Sequence, residues 1–231
     1  MAFRQLKQQV LHLLQAEDFS QSLAALARLP ARQVVNPLFS LLYHGEERIR
    51  WRAVSAMGAV VSQLADREME SARVIMRRLM WNLNDESGGI GWGSPEAMGE
   101  IMALHQRLAG EYARILVSYL DPQGNFIEHE RLQEGVLWAV GRVGRIRPEL
   151  VRSALPFLDA FLTGSNPALR GLALWAAVPF AADLGRRGQV EKMSYDDTPL
   201  GIYTDNAFIQ YTVADLARRL LSHADKQKSA P

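Results

Sequence analysis

The residue types that most often carry out chemistry are sparse in this sequence. Cysteine is absent, which excludes disulfides and thiolate nucleophiles, and the five histidines are widely separated. His129, between Glu128 and Glu130, is the single histidine that adjoins carboxylates. A metal or acid–base centre needs several such groups together, so we expect no catalytic residue, no metal ion and no cofactor.

A more informative group follows helical spacing between residues 73 and 85. Arg73, Arg77 and Trp81 recur every four residues, and Asp85 continues the line. They avoid the apolar stripe of the same segment, which comprises Ala72, Ile75, Met76, Leu79, Met80 and Leu83. Arginine and tryptophan dominate the energetics of many protein interfaces, so this line is a candidate partner-binding surface. The alternative is a solvated arginine face with Trp81 packed beneath the next structural unit.

A glycine-rich segment, GGIGWG at residues 88–93, follows directly. We predict a loop over residues 84–94 and a helix that begins at Pro95, with Ser94 as its N-cap. Glycines allow positive φ angles and close backbone approach, which suits contact with a partner. To the candidate surface we therefore add Gly89, Gly91 and Trp92. Several carboxylates flank the loop and would repel a phosphate, and a purely structural connection is the alternative.

The charge is balanced overall but alternates along the chain. The formal net charge is +1. Residues 48–82 have seven basic and three acidic groups, residues 83–130 have two and eight, and residues 131–192 have nine and five. A groove for duplex DNA should be basic throughout, so we do not expect nucleic acid as the ligand. Alternating charge is typical of a surface that complements another protein.

Motifs recur at intervals of roughly one helical pair. WRAVSAMG (51–58) and WGSPEAMG (92–99) share the pattern W-x-x-x-x-A-M-G, and LWAVG (137–141) and LWAA (174–177) follow at spacings of about 37 to 42 residues. Proline and glycine separate the helices. We place the first helix of each pair near 19–29, 48–64, 95–109, 128–146 and 166–184, and the second near 31–44, 68–83, 111–120 and 148–163.

The segments NPALRGLALWAAVPF (166–180) and EERIRWRAVSAMGAV (46–60) resemble HEAT repeats, in the subclass of short bacterial units of the phycobilisome-lyase type. Both have a polar turn and an arginine before a helix rich in small residues. The resemblance implies an all-α fold, a right-handed α-solenoid of about five helical hairpins, over residues 1–184. Such repeats mostly organise contacts between proteins, so the resemblance indicates fold more than activity.

Residues 185–231 depart from this pattern and are expected to close the same domain. Two β-favouring runs, 200–203 and 208–211, surround a Thr-Asp-Asn turn and predict a small hairpin. Thr212 and Asp215 have the spacing of a capping box for a final helix. The alternative is a disguised last repeat.

We therefore expect a non-catalytic scaffold that binds another protein through its concave face and the loop at 84–94. The N-terminal segment has the pattern of an amphipathic helix rather than a signal peptide, no apolar run could span a membrane, and we expect a cytoplasmic protein. Self-association through an unstacked helix at residues 2–16 would give a homodimer.

Three enzymatic or assembly alternatives rest on resemblance. The spacing of Trp81 and Asp85 resembles a motif of HEAT-like alkylpurine DNA glycosylases, in which Arg73, Arg77 and Arg142 would contact phosphates. HEAT-like di-iron hydroxylases use several His-Glu pairs, whereas here the one match is His129-Glu130. A lyase-like assembly or cofactor-attachment factor is the third alternative, although no residue identifies a prosthetic group.

Overall fold

The structure is a computed structural model that describes residues 3–84, 91–183 and 185–228. The chain forms two compact units, residues 1–112 and 113–231. The predicted all-α fold is confirmed, with helices arranged as consecutive hairpins and a small β-hairpin near the C-terminus. Within the described ranges, no helix has the length and apolar character needed to cross a membrane.

The described part of the first unit consists of helices joined by short turns. Its helices are α1 (Phe3–Gln15), α2 (Phe19–Arg28), α3 (Ala31–Leu41), α4 (Glu47–Arg67), α5 (Met69–Leu83), α6 (Ser94–Leu104) and the beginning of α7 (Gln106–Ser118). The long helix α4 packs against α2, α3, α5 and α6 and forms the centre of this unit.

Helix α1 is not unstacked, contrary to the sequence-based expectation. It packs against α2, α3 and α4, and the apolar stripe Leu6, Val10 and Leu14 is buried. The Arg52 guanidinium from α4 donates hydrogen bonds to the carbonyls of Leu14 (2.8 Å) and Ala16 (2.7 Å), which satisfies carbonyls at the end of α1. The stripe is therefore already used inside the unit, which removes the reason to expect a dimer through residues 2–16.

The boundary between α6 and α7 lies earlier than predicted. We expected a break near residue 110, but α6 ends at Leu104 and His105 adopts an extended conformation. The His105 Nδ1 atom accepts a hydrogen bond from the Leu108 amide (3.2 Å), so this side chain caps the start of α7. Gly110 lies within α7 with open space around it, which shows that glycine alone does not end a helix.

The second unit combines helices with the hairpin. Its elements are the end of α7, α8 (Glu130–Gly144), α9 (Pro148–Val151), a 3₁₀ turn (Arg152–Ala154), α10 (Leu155–Leu162), α11 (Pro167–Ala177), a 3₁₀ segment (Val178–Asp183), α12 (Arg187–Met193), β1 (Pro199–Thr204), β2 (Ala207–Thr212) and α13 (Val213–Lys228).

Two helices predicted to be continuous are interrupted at prolines. The predicted helix 148–163 is divided into α9, a 3₁₀ turn and α10, and the predicted helix 166–184 continues beyond Ala177 as 3₁₀. Pro156 and Pro179 have no amide hydrogen, so neither can bond to the carbonyl four residues earlier. Helix α12 was not predicted from the sequence.

The predicted hairpin and capped final helix are confirmed. Strands β1 and β2 pair antiparallel, with Thr204 opposite Ala207, and the turn residues Asp205 and Asn206 have φ angles of 50° and 64°. Positive φ at both central positions is the requirement of a type I′ hairpin turn. The Thr212 amide donates to Asp215 Oδ2 (2.9 Å) and the Asp215 amide donates to Thr212 Oγ1 (3.1 Å), which completes the capping box.

Candidate partner-binding surface

The side chains of helix α5 point in four different directions. Ala72, Ile75, Met76 and Leu79 are buried, as the apolar periodicity predicts. Arg73 is directed toward α7, because it bonds to Glu111 there, whereas Arg78 is directed toward α3, because it bonds to Asn36. Trp81 projects away from the core and is 71% exposed.

The two arginines of the predicted surface, Arg73 and Arg77, belong to one network. We call this network, which also contains Glu70, Arg107 and Glu111, the ion-pair face. Arg73 makes a bidentate pair with Glu111, through Nε (2.8 Å) and Nη2 (2.6 Å). Arg77 Nη2 donates to Glu70 Oε1 (2.6 Å), and Arg73 Nη1 lies 3.4 Å from Glu70 Oε2. Arg107 adds a contact of 3.4 Å with Glu111. The ion-pair face thus connects α5 to α7. Its carboxylates neutralise the charges of Arg73 and Arg77.

The pKa values of the ion-pair face follow from these bonds. The hydrogen bond from Arg77 lowers the pKa of the Glu70 carboxyl, and the hydrogen bond from Arg73 lowers the pKa of the Glu111 carboxyl. The pKa values of Arg73 and Arg77 are raised by the same bonds. All four groups are therefore charged at neutral pH.

Trp81 differs from the other tryptophans of the repeat motifs. Trp138 and Trp175 are each 3% exposed and their rings stack, with centroids 6.3 Å apart and planes inclined by 15°. Trp92 is 39% exposed and lies in the turn before α6, whereas Trp51 lies inside α4. The shared W-x-x-x-x-A-M-G spacing therefore does not place Trp51 and Trp92 in equivalent positions.

Of the glycine-rich loop, the structure describes Asn84 and the C-terminal end from Gly91 onward. Gly91 is buried, and an added Cβ atom would lie 2.5 Å from the Asn82 carbonyl oxygen, so the backbone packs closely on the end of α5. Gly93 has φ of 76° and occupies the N-cap position of α6. Ser94 was expected to be the N-cap, but it is the first helical residue and its buried hydroxyl bonds to none of the described residues. Asp85 and Gly89 lie outside the described residues.

A cavity between α3 and α5, the α3–α5 groove, was not anticipated. Its volume is about 300 Å³, and it is lined by Arg32, Val35, Asn36, Phe39, Leu64, Ser71, Val74, Ile75 and Arg78. The Arg78 guanidinium stacks over the Phe39 ring, 3.9 Å from its centroid, and Nη1 donates to Asn36 Oδ1 (2.6 Å). At the other end, Arg32 pairs with Glu68 and donates to Ser71 Oγ (2.7 Å).

The repeat period contains a signal that could have identified the groove. Asn36 and Arg78 are 42 residues apart, and Arg32 and Ser71 are 39 apart. Both separations match the spacing of the sequence motifs, so polar residues one period apart on second helices are candidates for contact between neighbouring repeats. The separation alone does not reveal that a cavity lies between them.

The remaining sequence candidates lie in the second unit and do not form a site. His129 is exposed at the N-cap position of α8, and the Glu130 carboxylate accepts a hydrogen bond from Asn166 Nδ2 (2.8 Å). Arg142 lies on α8, whose neighbour in the core is α11. In the part of the chain that the structure describes, no group of three or more histidine or carboxylate side chains could hold a metal ion.

Half-buried Arg145 has a structural role in this unit. Its guanidinium stacks on the Trp175 ring at 3.5 Å, and Nη2 donates to the Trp175 carbonyl (2.9 Å). In a continuous α-helix residue 179 would donate to that carbonyl, but Pro179 has no amide hydrogen. Burial, followed by the charge of Arg219, lowers the pKa of Arg145 to about 9.

Comparison with known proteins supports the repeat architecture. Residues 130–176 match the model of the HEAT-like repeat. An uncharacterised protein of Archaeoglobus fulgidus is 31% identical over 119 residues, which are 52% of this chain and 56% of that protein. The chain therefore spans little more than half the length of this relative.

Solved structures that share the fold include engineered proteins. A designed armadillo repeat protein in complex with the peptide (KR)4 aligns with a TM-score of 0.54 and 19% identity, covering 95% of this chain and 99% of its own. A second engineered protein aligns with a TM-score of 0.55 and 17% identity, covering 96% and 98%. The phycobilisome-lyase type is not confirmed by any of these similarities. Residues 130–176 are thus similar to a HEAT-like repeat, and the solved structures show that the chain shares an α-solenoid fold of armadillo type.

Proposed function

We propose that this protein is a non-catalytic scaffold that binds another protein through the outward face of α5 and the adjoining loop at 84–94. The observation that carries the proposal is the exposure of Trp81, a large apolar side chain that is 71% exposed on a well-formed helix. Burying such a side chain against a partner releases much apolar surface from water, and tryptophan is enriched at interface hot spots.

The surroundings of Trp81 suit a preformed interface. Glu70 and Glu111 hold Arg73 and Arg77 in place, so these side chains lose little conformational entropy on binding. Trp92, the residue after Gly91, adds a second exposed indole. An interface of this kind combines an apolar anchor with an ordered polar rim.

The fold supports the same function. HEAT and armadillo repeats are typical of protein-interaction scaffolds, and the similar designed armadillo protein was solved with a bound peptide. Since fold does not determine function, the proposal rests on the α5 surface itself.

The ion-pair face weakens the DNA glycosylase alternative. That alternative needs Arg73 and Arg77 to contact phosphates, but both guanidiniums already bond to carboxylates of the same unit. A phosphate would have to displace Glu70 or Glu111 and would then lie beside an unpaired negative charge.

The experiment that tests the proposal is affinity capture with matched variants. The immobilised protein is incubated with lysate of its source organism, in parallel with nuclease-treated lysate, and bound proteins are identified by mass spectrometry. The test variant combines Trp81→Ala with Trp92→Ala. The control is Tyr195→Ala, which removes an aromatic side chain that is 88% exposed in the other unit.

We expect a discrete protein that survives nuclease treatment, is retained by Tyr195→Ala and is lost with the double variant. Equal retention by both variants would show that the α5 surface is not the binding site. Recovery that depends on nucleic acid would contradict the scaffold function.

A further inference from the structure

The α3–α5 groove has an apolar floor and a cationic rim. Val35, Phe39 and Ile75 are buried along its floor, with Leu64 of α4 at its base, and Val74 at its edge is 54% exposed. Both α3 and α5 pack on α4, and the register of their contacts, Arg32 with Ser71 and Phe39 with Arg78, shows that they run in the same direction.

The two arginines of the rim differ in what they bond to. Arg32 pairs with Glu68, so its charge is already balanced. Arg78 bonds to the neutral amide oxygen of Asn36 and stacks on Phe39, and among residues 3–84, 91–183 and 185–228 no carboxylate pairs with it. Among the described residues of the lining, exposed Arg78 is therefore the one whose charge is not balanced by a carboxylate.

Arg78 is also held in position for a ligand. Its contacts with Asn36 and Phe39 fix the plane of the guanidinium at the edge of the groove. A guanidinium presents several donors in a planar fork that matches a carboxylate, and one hydrogen bond to Asn36 leaves other donors for such a pair. Exclusion of water by an apolar neighbour strengthens a charge-assisted bond of this type.

We propose that the α3–α5 groove binds a segment of a partner protein in which an aliphatic or aromatic side chain is followed or preceded by Asp or Glu. The apolar side chain would occupy the cavity beside Val35 and Val74, and the side-chain carboxylate would pair with Arg78. The charge preference is opposite to that implied by the peptide in the similar designed protein, whose residues are lysine and arginine. The inference rests on the proposed scaffold function and assigns a partner chemistry to a second part of the same unit.

The test uses a set of short peptides with blocked termini, so that any carboxylate comes from a side chain. Each peptide has one central residue, chosen from Leu, Ile, Phe, Tyr and Trp, and is made in three forms with flanks of Glu, Gln or Lys. Binding of fluorescently labelled peptides to the full chain is measured by anisotropy at low and at physiological salt.

Two variants of the groove and one matched control locate the binding. Arg78→Gln removes the proposed carboxylate partner, and Val74→Asp places a charge at the edge of the cavity. Arg77→Gln removes the same charge from the neighbouring position on α5, where the arginine already pairs with Glu70. Any nonspecific effect of net charge should be equal in Arg77→Gln and Arg78→Gln. The fold of each variant is checked by far-UV circular dichroism and urea unfolding.

We expect at least one peptide with Glu flanks to bind, its Gln form to bind more weakly, and its Lys form to bind weakest. Arg78→Gln should weaken the Glu form about tenfold, because charge-assisted hydrogen bonds typically contribute that much, while Arg77→Gln should have little effect. Val74→Asp should abolish binding. Methyl NMR signals of Val35 and Val74 should shift when peptide is added.

The proposal is overturned if no Glu-flanked peptide binds with a Kd below about 1 mM, if the Lys forms bind as well as the Glu forms, or if Arg77→Gln and Arg78→Gln are equally weakened. These results would leave a Trp81-dependent partner unaffected. Conversely, peptide binding that depends on Arg78 while capture is insensitive to Trp81 would contradict the proposed α5 surface and retain the groove.

Discussion

The arginine and tryptophan residues on α5, in the first unit, have roles opposite to those between α8 and α11, in the second. On α5 in the first unit, Trp81 is exposed and the nearby arginines are paired with carboxylates at the surface. Between α8 and α11 in the second unit, Trp138 and Trp175 stack in the core, and Arg145 bonds to backbone carbonyls. Residue type alone therefore does not distinguish a binding residue from a structural one, since the difference lies in what surrounds each side chain.

The largest effect is expected for Trp175→Ala. The side chain is 3% exposed, stacks on Trp138, supports Arg145 and fills the space above Gly141, where an added Cβ would lie 2.4 Å from the indole. Truncating a buried tryptophan typically costs about 3–5 kcal/mol in the free energy of unfolding. Urea unfolding followed by circular dichroism measures this loss. A change below about 1 kcal/mol would contradict the structural role assigned to the second unit.

The next effect is expected for Arg145→Leu. The substitution retains apolar volume but removes the donor to the Trp175 carbonyl, which Pro179 cannot replace. A buried carbonyl without a donor costs about 1–3 kcal/mol. Arg114→Leu, at an exposed position of the same unit, is the control for loss of charge. Equal unfolding midpoints for Arg145→Leu and wild type would show that the carbonyl does not need this donor.

A smaller effect concerns the ion-pair face and its dependence on pH. The pKa values of Glu70 and Glu111 are lowered in the folded protein, so their contribution to stability is present above the carboxyl pKa of the unfolded chain, about 4.5. The contribution is lost as the pH falls through the lower folded pKa values. We expect Glu111→Gln to reduce the urea midpoint at pH 7 and to reduce the further fall on acidification.

The control for this pH effect is Glu149→Gln, which removes an exposed carboxylate from the second unit. Urea midpoints are compared at pH 7 and at acidic pH in the wild type and both variants. If Glu111→Gln and wild type lose stability in parallel on acidification, the pair with Arg73 contributes nothing to folding.

The smallest effect on stability is expected for Trp81→Ala. The side chain has few neighbours in the structure because most of it is exposed, and surface substitutions usually change the free energy of unfolding by no more than about 0.5 kcal/mol. The contrast with Trp175→Ala in the same unfolding assay is the sharpest test of the comparison. A loss of several kcal/mol for Trp81→Ala would assign this indole to the fold rather than to a partner.

The sequence patterns identified most elements of the fold but misplaced several boundaries. Apolar periodicity identified the α5 stripe, and the spacing of Thr212 and Asp215 identified the cap of α13, because both depend on neighbours within one segment. The break at His105 was missed because it depends on a histidine side chain that caps α7. The other two breaks lie near Pro156 and Pro179, and the predicted helices 148–163 and 166–184 pass through both prolines.

The candidate surface was predicted in part. The exposure of Trp81 agrees with its position off the apolar stripe, and Arg73 and Arg77 do lie on the same helix. Glu70 lies on α5 itself, but the pairing of Glu111 with Arg73 could not be predicted, because these two residues are 38 positions apart in the chain. The α3–α5 groove was missed for the same reason, since its walls come from two repeats.

What the sequence by itself determined is the local character of most elements: helices with one apolar stripe, a small β-hairpin, and a capped last helix. These features are set by the periodicity of side chains and by local backbone preferences. The tertiary structure alone decided which arginines are paired and which indoles are buried. It decided also that Arg78 lies beside an apolar cavity with no described carboxylate to bond to. The physical reason is that charge compensation and burial depend mainly on contacts between segments about one repeat apart, which the periodicity within one helix does not encode.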